Sequence, residues 1–287
     1  MSTLVQVMRQ LRSMPPLPDV AARVLSIVRE PDYSLDELVA VVRTDPSLTG
    51  RILKLCNSSL FGLQKEVQSV SEAVAYIGAR NLVKLVLVTC TGSYFRNLPD
   101  NDYANPQQLW QHTLACATAC QALADRCGYG QPAAAFTAGI LHDIGRIALL
   151  QVVEPHLLQQ AAEELMNPVA DACDVERRLF GIDHAAASAA VCEAWGLPNE
   201  LRRAERDHHD VASDGDDELT ALLHAAGEIA MSLGIGDCQP AREHAPSPAS
   251  LRRLCLFATD IDEIREAVAQ ELARTGKLLN PEPALSR

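Results

Sequence analysis

The chain has 287 residues, with 37 acidic against 25 basic side chains and a formal charge of −12. Its length allows one large or two smaller domains with a substantial core, while its acidity argues against broad contact with a phosphate backbone, which needs clustered Lys and Arg. Apolar residues reach 48% with only 4% aromatics, and an apolar set dominated by Ala, Leu and Val favours packed helices over a sheet sandwich. The expected fold class is all-α.

The nine cysteines, Cys56, Cys90, Cys116, Cys120, Cys127, Cys173, Cys192, Cys238 and Cys255, are odd in number and lack a paired CxxC framework. They read as small buried hydrophobes in a reducing compartment. No apolar run reaches the ~18 residues expected of a membrane span, and no basic segment followed by an apolar one stands at the N-terminus. A cytoplasmic location follows as an expectation, without membrane attachment.

In chain order, the proline-rich run Pro15, Pro16, Leu17, Pro18 leads into a helix. Ser34 with Glu37, and Ser69 with Glu72, fit the capping box, in which side chains satisfy the first orphan amides of a helix. Asp45 followed by Pro46 is a second kind of start, an acidic cap ahead of a proline whose missing N–H costs nothing at that position. That helix carries Leu48, Ile52, Leu55 and Cys56 on one face and should end between Asn57 and Gly62. Val70, Ala73, Val74 and Ile77 repeat at helical spacing up to a terminator at Gly78. A more fully buried helix follows through Leu82, Val83, Leu85, Val86 and Leu87.

The polar stretch 97–106 is rich in turn formers and marks the expected boundary between lobes. A long helix over 107–127 places Leu109, His112, Thr113, Cys116 and Cys120 on one face. Further helices are expected at 133–143, 145–152, 155–166, 170–180, 184–195, 199–209, 218–233, 249–258 and 261–274. Asp210 to Glu218 and Asp237 to Pro248 read as surface loops. The organisation is thus an N-terminal helical lobe at 1–96, a second helical lobe at 107–235, and a helical extension and tail at 236–287. That extension is capped by Thr259 and Asp262 and ends in Pro281 and Pro283. Core positions include Leu53, Ile77, Leu85, Phe136, Leu141 and Trp195.

Histidines and one aspartate form the chemical signature: His112, His142 directly followed by Asp143, His184, and the pair His208 and His209. Adjacent His and Asp at a helix end can direct a nitrogen and an oxygen ligand at the same ion, and Gly145 lets the backbone turn into a new helix. A second reading of the same residues is a buried polar network that fastens helices together, each group satisfied by a neighbour.

The segment Ala138 to Gly145, with His112 thirty residues upstream of His142, resembles the HD superfamily of metal-dependent phosphohydrolases. Asp183 with His184, and His208 with His209, resemble the additional histidines of its HD-GYP branch, which degrades cyclic dinucleotides. The resemblance implies metal ligation by His112, His142, Asp143, His184, His208 and His209. It also implies a closing downstream Asp, and the aligned position holds Gly227, between His224 and Glu228. The Gly-Tyr-Pro segment of that branch is absent, because Gly128, Tyr129 and Gly130 lie in an unrelated turn. Loss of the carboxylate removes charge that offsets a cation and opens a coordination position.

The first lobe resembles a different group. Pro15 to Pro18, the run from Asp45 through Arg51, Asn57, Ser58 and Phe61 to Gly62, and Ser69 to Gly78 are similar to the HDOD family, the HD-related output domain of bacterial signalling proteins. The similarity spans roughly residues 10–235. It implies an all-helical regulatory module, of the kind found in response-regulator pathways, with an HD-like second lobe. It also implies no catalytic residue and no required cofactor, a degenerate site open to Fe, Mn, Zn, Ni or Mg, and a signalling partner such as a sensor kinase, regulator or cyclase. An oligomer stays open, and so does an alternative function, metal-dependent hydrolysis of a nucleotide or cyclic dinucleotide. No stretch of alternating strands and helices precedes the similar region, so the input of such a pathway is expected from a partner, a ligand or the C-terminal helices. Apart from the resemblance, Asp45, Arg51, Asn57, Phe61 and Gly62 have a structural reading as cap, ion-pair partner, helix exit and apolar plug.

Overall fold

Several helix starts in this chain are set by side chains that accept backbone amides. Ser34 accepts the N–H of Glu37, Asp45 that of Leu48 at 2.9 Å, and Ser69 that of Glu72 at 3.1 Å, as capping predicts. Glu72 reaches back to the N–H of Gln68, one residue earlier than a strict capping box requires. The computed structural model describes residues 4–30, 32–58, 61–96, 98, 101–167, 169–210, 217–235 and 245–275. Cys238, Pro281 and Pro283 lie outside them, as do most of the loop at 237–248 and the centre of the loop at 210–218. Among the described residues the regular elements are all helices, with no strand.

The first half comprises α1 (Leu4–Leu11), α2 (Asp19–Ile27), α3 (Leu35–Arg43), α4 (Pro46–Cys56) and α5 (Val70–Phe95). Gly78 divides α5, with φ 79° and ψ 158°, a backbone conformation that residues with a Cβ avoid. The break expected there is therefore present, as a sharp kink between two helical stretches. After α4, Asn57 clasps the next loop: its Nδ2 donates to the carbonyl of Val67 at 2.8 Å and its Oδ1 accepts the Val67 N–H at 2.7 Å.

The second half comprises α6 (Pro106–Cys127), α7 (Pro132–Leu141), α8 (Ile144–Val152), α9 (Pro155–Leu165), α10 (Ala172–Phe180), α11 (His184–Ala194), α12 (Asn199–Asp207) and α13 (Glu218–Ser232). Two further helices close it, α14 (Pro248–Arg253) and α15 (Ala258–Arg274). The last helix starts earlier than Thr259 and Asp262 suggested, because Asp260 accepts the Phe257 N–H at 2.7 Å and its carboxylate pairs with Arg126 of α6.

Two apolar clusters fill the interior. One runs from α1 through α5 into the facing sides of α6, α7, α8, α10 and α11, so the same core continues across the segment 97–106. The other joins α6, α7, α12 and α13 to α15 through residues such as Leu123, Leu222, Ile264 and Val268. Tyr103 and Ala104, in the stretch expected to be a polar boundary, are fully buried. Ile77, Leu85, Phe136 and Leu141 are buried as expected, while Leu53 and Trp195 are half-buried.

Two helical stretches, Val70–Phe95 and Pro132–Val152, are long and apolar enough by length and composition to cross a membrane. The sequence expectation counted only unbroken apolar runs and missed them. The second is interrupted by His142 and Asp143 and lies mostly inside the protein, as a core helix does.

Two glycines set the helix spacing on which the site depends. A Cβ on Gly139 of α7 would overlap the backbone of α6 at Ala117, and one on Gly145 of α8 would overlap the carbonyl of His184 on α11. Gly145 was expected to permit a turn, yet its φ is not positive. Its missing side chain matters because two helices meet there.

Candidate metal centre

The six residues singled out from the sequence converge. His112 comes from the second turn of α6, and His142 and Asp143 form the junction between α7 and α8. His184 opens α11, and His208 and His209 follow α12. All but His209 are buried, and His209 stands at the solvent edge of the group.

Each of four rings has one nitrogen tied to an oxygen. Nδ1 of His112 lies 2.8 Å from the carbonyl of Ile235, Nδ1 of His142 2.9 Å from that of Gly139, and Nδ1 of His208 2.6 Å from that of Glu205. Nδ1 of His184 lies 2.7 Å from a carboxylate oxygen of Glu176. A carbonyl can only accept, so Nδ1 carries the proton in the first three, and the Nε2 lone pair is left for the site interior.

Those Nε2 atoms surround one carboxylate. Asp143 Oδ2 is 3.2 Å from Nε2 of His142 and 3.9 Å from Nε2 of His112, and Asp143 Oδ1 is 3.7 Å from Nε2 of His184. Ligand atoms of Asp143, His184 and His208 all lie within 4.8 Å of one another. Nε2 of His208 is buried and has no hydrogen-bond partner among the described residues, a cost that a cation at the centre would remove. Nε2 of His184 lies 2.8 Å from Nε2 of His209, which brings the sixth residue to the rim of the same group.

Electrostatics match the geometry at His208 and Asp143, while at His142 a metal would have to displace a proton from Nε2. Burial, with His142 and His184 close by, holds His208 well below the ordinary imidazole range, so its ring is neutral and able to donate a lone pair. Burial opposes charge on Asp143, but His142 and Arg146 together hold its carboxyl well below the ordinary range. Arg146 Nε is 3.2 Å from Asp143 Oδ1. Burial likewise opposes charge on His142, yet Asp143 and Cys116 raise it well above its ordinary value.

Three contributors were not read from the sequence. Glu176 is fully buried on α10. One of its oxygens accepts the His184 backbone N–H at 2.6 Å and lies against Nδ1 of that ring, and the other accepts the Tyr103 hydroxyl at 2.6 Å. A carboxylate behind an imidazole orients the ring and raises its basicity. Cys116 lies one turn after His112 on α6, with Sγ 3.5 Å from Nε2 of His112, and groups with His112 and His142 at ligand distances. Burial pushes its thiol up, but the imidazoles of His112 and His142 outweigh that and bring it to about 7. The third is Glu205, fully buried on α12 with both carboxyl oxygens free of hydrogen-bond partners among the described residues. Burial raises its pKa well above the ordinary carboxylate value.

Gly227, aligned with a closing carboxylate, lies one turn after His224 on α13. Nδ1 of His224 donates to the carbonyl of His208 at 3.0 Å, and a Cβ built on Gly227 meets open space. Other than Cys238, the cysteines carry free thiols and none is paired; six are buried, in line with the reading as small hydrophobes, while Cys127 is partly exposed and Cys255 exposed.

The fold has relatives. An HDOD domain protein of unknown function from Geobacter sulfurreducens superimposes with a TM-score of 0.78 at 21% identity, covering 99% of this chain and 100% of that one. A candidate signal transduction protein from Marinobacter aquaeolei VT8 gives a TM-score of 0.78 at 26% identity, covering 93% of this chain and 60% of that one. A candidate phosphohydrolase from Shewanella amazonensis SB2B gives 0.71 at 24% identity, covering 96% and 98%. The chain spans 45% of the length of a curated relative it matches at 26% identity. The HDOD domain model matches residues 14–211, which include all six candidate site residues and all three first-lobe motifs. The chain belongs to the HDOD domain family.

Proposed function

We propose that this chain is a signal-transduction module whose histidine cleft holds a divalent metal through Nε2 of His112, His142, His184 and His208 and the carboxylate of Asp143, with His209 at the rim. In this reading it works in the cytoplasm by contact with a signalling partner such as a sensor kinase, regulator or cyclase, without direct contact to nucleic acid or membrane. The observation that carries the metal is the shared orientation of the four rings. Each has Nδ1 committed to an oxygen, and Nε2 of His112, His142 and His184 faces the Asp143 carboxylate at 3.9, 3.2 and 3.7 Å, the arrangement by which proteins preset imidazole ligands. A tightly packed polar network without an ion would leave no reason for the buried, partnerless Nε2 of His208.

A nitrogen-rich donor set with one carboxylate suits Zn, Fe, Ni or Mn better than Mg, which prefers oxygen ligands. A bound divalent ion would supply Lewis acidity and lower the pKa of a coordinated water. The chain's own residues hold the rings, through Glu176 and three carbonyls, and keep the cleft buried. The signalling reading is supported by the family and by the Marinobacter relative's description. Elemental analysis of the purified protein, with metal titration of His142→Ala and His208→Ala, tests the site. Stoichiometric metal lost in both variants is the expected result.

Hydrolysis of a phosphoester is the second reading, favoured by the adjacency of His142 and Asp143 at the base of the cleft and by the Shewanella relative's description. It differs in predicting turnover of a phosphodiester such as bis(p-nitrophenyl) phosphate by the metal-loaded protein. Gly227, which offers no fixed carboxylate, sets our preference for binding over turnover.

A further inference from the structure

A second cavity, of about 550 Å³, lies between α2 and α5 of the first half and the starts of α7 and α12. It is distinct from the metal cleft, since α7 and α12 enter it with their N-termini and carry His142 and His208 at their opposite ends. Its volume is typical of sites for small ligands. Leu25, Val83, Phe136 and Trp195 give it apolar and aromatic walls.

The polar groups on its wall are mainly donors. Neither α7 nor α12 has a side-chain cap at its N-terminus, where Gln131 and Pro198 precede the first turn. α7 opens with Pro132, which has no N–H, and its Ala134 N–H is bonded to the Gln131 carbonyl at 2.9 Å, so α7 offers the Ala133 amide and α12 the amides of Glu200 and Leu201, at the positive ends of two helix dipoles that meet the cavity. Gln121 lines it from α6, is 6% exposed, and its Nε2 has no partner among the described residues. The Trp195 indole N–H is likewise buried and partnerless. Lys84 sits with Nζ 5.5 Å from the centre of the Phe136 ring, and no carboxylate among the described residues is within ion-pair distance of it. Burial lowers its pKa, while Glu271 and Asp125 pull it back up.

The other charged lining groups are largely committed or balanced. Arg80 makes a two-pronged contact with Asp125 at 2.9 and 3.0 Å, and Glu200 accepts the Tyr129 hydroxyl at 2.8 Å. Arg29 and Glu30 face the cavity from the end of α2 with opposite sign. What remains unmatched is a set of N–H donors and one ammonium beside aromatic walls. That set is complementary to a negative group on a flat apolar body.

We infer that this cavity is a binding site for a small aromatic anion, a phosphate or carboxylate, whose acidic group rests against Lys84 and the uncapped starts of α7 and α12 and whose ring packs between Phe136 and Trp195.

An anilinonaphthalene sulfonate dye is the probe for the full-length protein, with neutral N-phenylnaphthylamine as control. Saturable one-site fluorescence is expected, weakened about tenfold or more in Lys84→Met by loss of one charge-assisted contact and kept in Lys84→Arg, with thermal melting checked for each. Displacement by phenyl phosphate marks a phosphate ligand and displacement by benzoate a carboxylate, and either supports the site. Displacement by neither, equal binding of the neutral control, or unchanged affinity in Lys84→Met overturns it. Dye affinity that follows metal removal by EDTA would place the dye in the histidine cleft and overturn it as well, independently of whether that cleft holds metal.

Discussion

Glu176 holds His184 at two points, accepting its backbone N–H at 2.6 Å and lying 2.7 Å from its Nδ1. One carboxylate therefore fixes both where α11 begins and which way the first imidazole of that helix faces. Burial raises the energy of its charge, but His184 outweighs this and keeps its carboxyl below the ordinary range. Glu176→Gln keeps the shape and removes the charge, so metal affinity should fall roughly tenfold to a hundredfold. Competition against a chromophoric chelator measures it, and an unchanged affinity would mean that His184 is not a ligand.

Gly145 is where α8 touches α11. A methyl group there meets the His184 carbonyl, and it also meets Ser188, whose hydroxyl accepts the Gly145 N–H at 2.9 Å and donates to the His142 carbonyl at 2.5 Å. Because these are mainly backbone atoms in a buried junction, Gly145→Ala should cost about 3 kcal/mol. Urea unfolding with an unchanged slope reads this directly. A cost near zero would show that the two helices separate without penalty.

The C-terminal helix α15 is tied down at Asp260. The Phe257 N–H and the Arg126 guanidinium stabilise its charge and lower its pKa. A carboxyl with a depressed folded pKa contributes stability that is present above its unfolded value, about 3.9, and is lost as pH falls through the folded value. Acidification below about pH 4 should therefore loosen α15, and Asp260→Asn should remove that dependence. Hydrogen exchange of α15 amides between pH 3 and 6 provides the measurement, with identical acid profiles for the two proteins as the contrary outcome.

Gly227 tests the family alignment. Its Cβ direction is open, and replacing a mid-helix glycine carries no backbone penalty, so Gly227→Asp should fold normally. If this position closes the metal site, the added carboxylate should tighten metal binding roughly tenfold. No change would separate Gly227 from the cleft and turn attention to Glu228, the next residue on the same helix.

Much of this was legible before any coordinates. The helices follow from caps such as Ser34, Asp45 and Ser69, whose side chains act through local hydrogen bonds that a sequence window contains. The six site residues were legible because His and Asp are costly to bury without a purpose and because their order follows a known superfamily. Glu176 was not, since it precedes Arg177 and Arg178 in a charged run that reads as a solvated face, and only the packing of α10 against α11 buries it. Tyr103 was hidden for the same kind of reason, as its turn-forming neighbours say nothing about the distant Glu176 that receives its hydroxyl. Cys116 carried a weak signal, its spacing of four from His112 on one helix face, which burial alone explained equally well.

Metal content of the protein purified without added metal is the most direct test of the central claim. Elemental analysis should find close to one equivalent of a divalent transition metal, lost in His142→Ala and in His208→Ala while both variants keep the helical circular-dichroism spectrum. Metal-free wild-type protein that also takes up no Zn, Fe, Ni or Mn on titration would contradict it, and would leave the six residues as a polar network that fastens α6, α7, α8, α11 and α12 together.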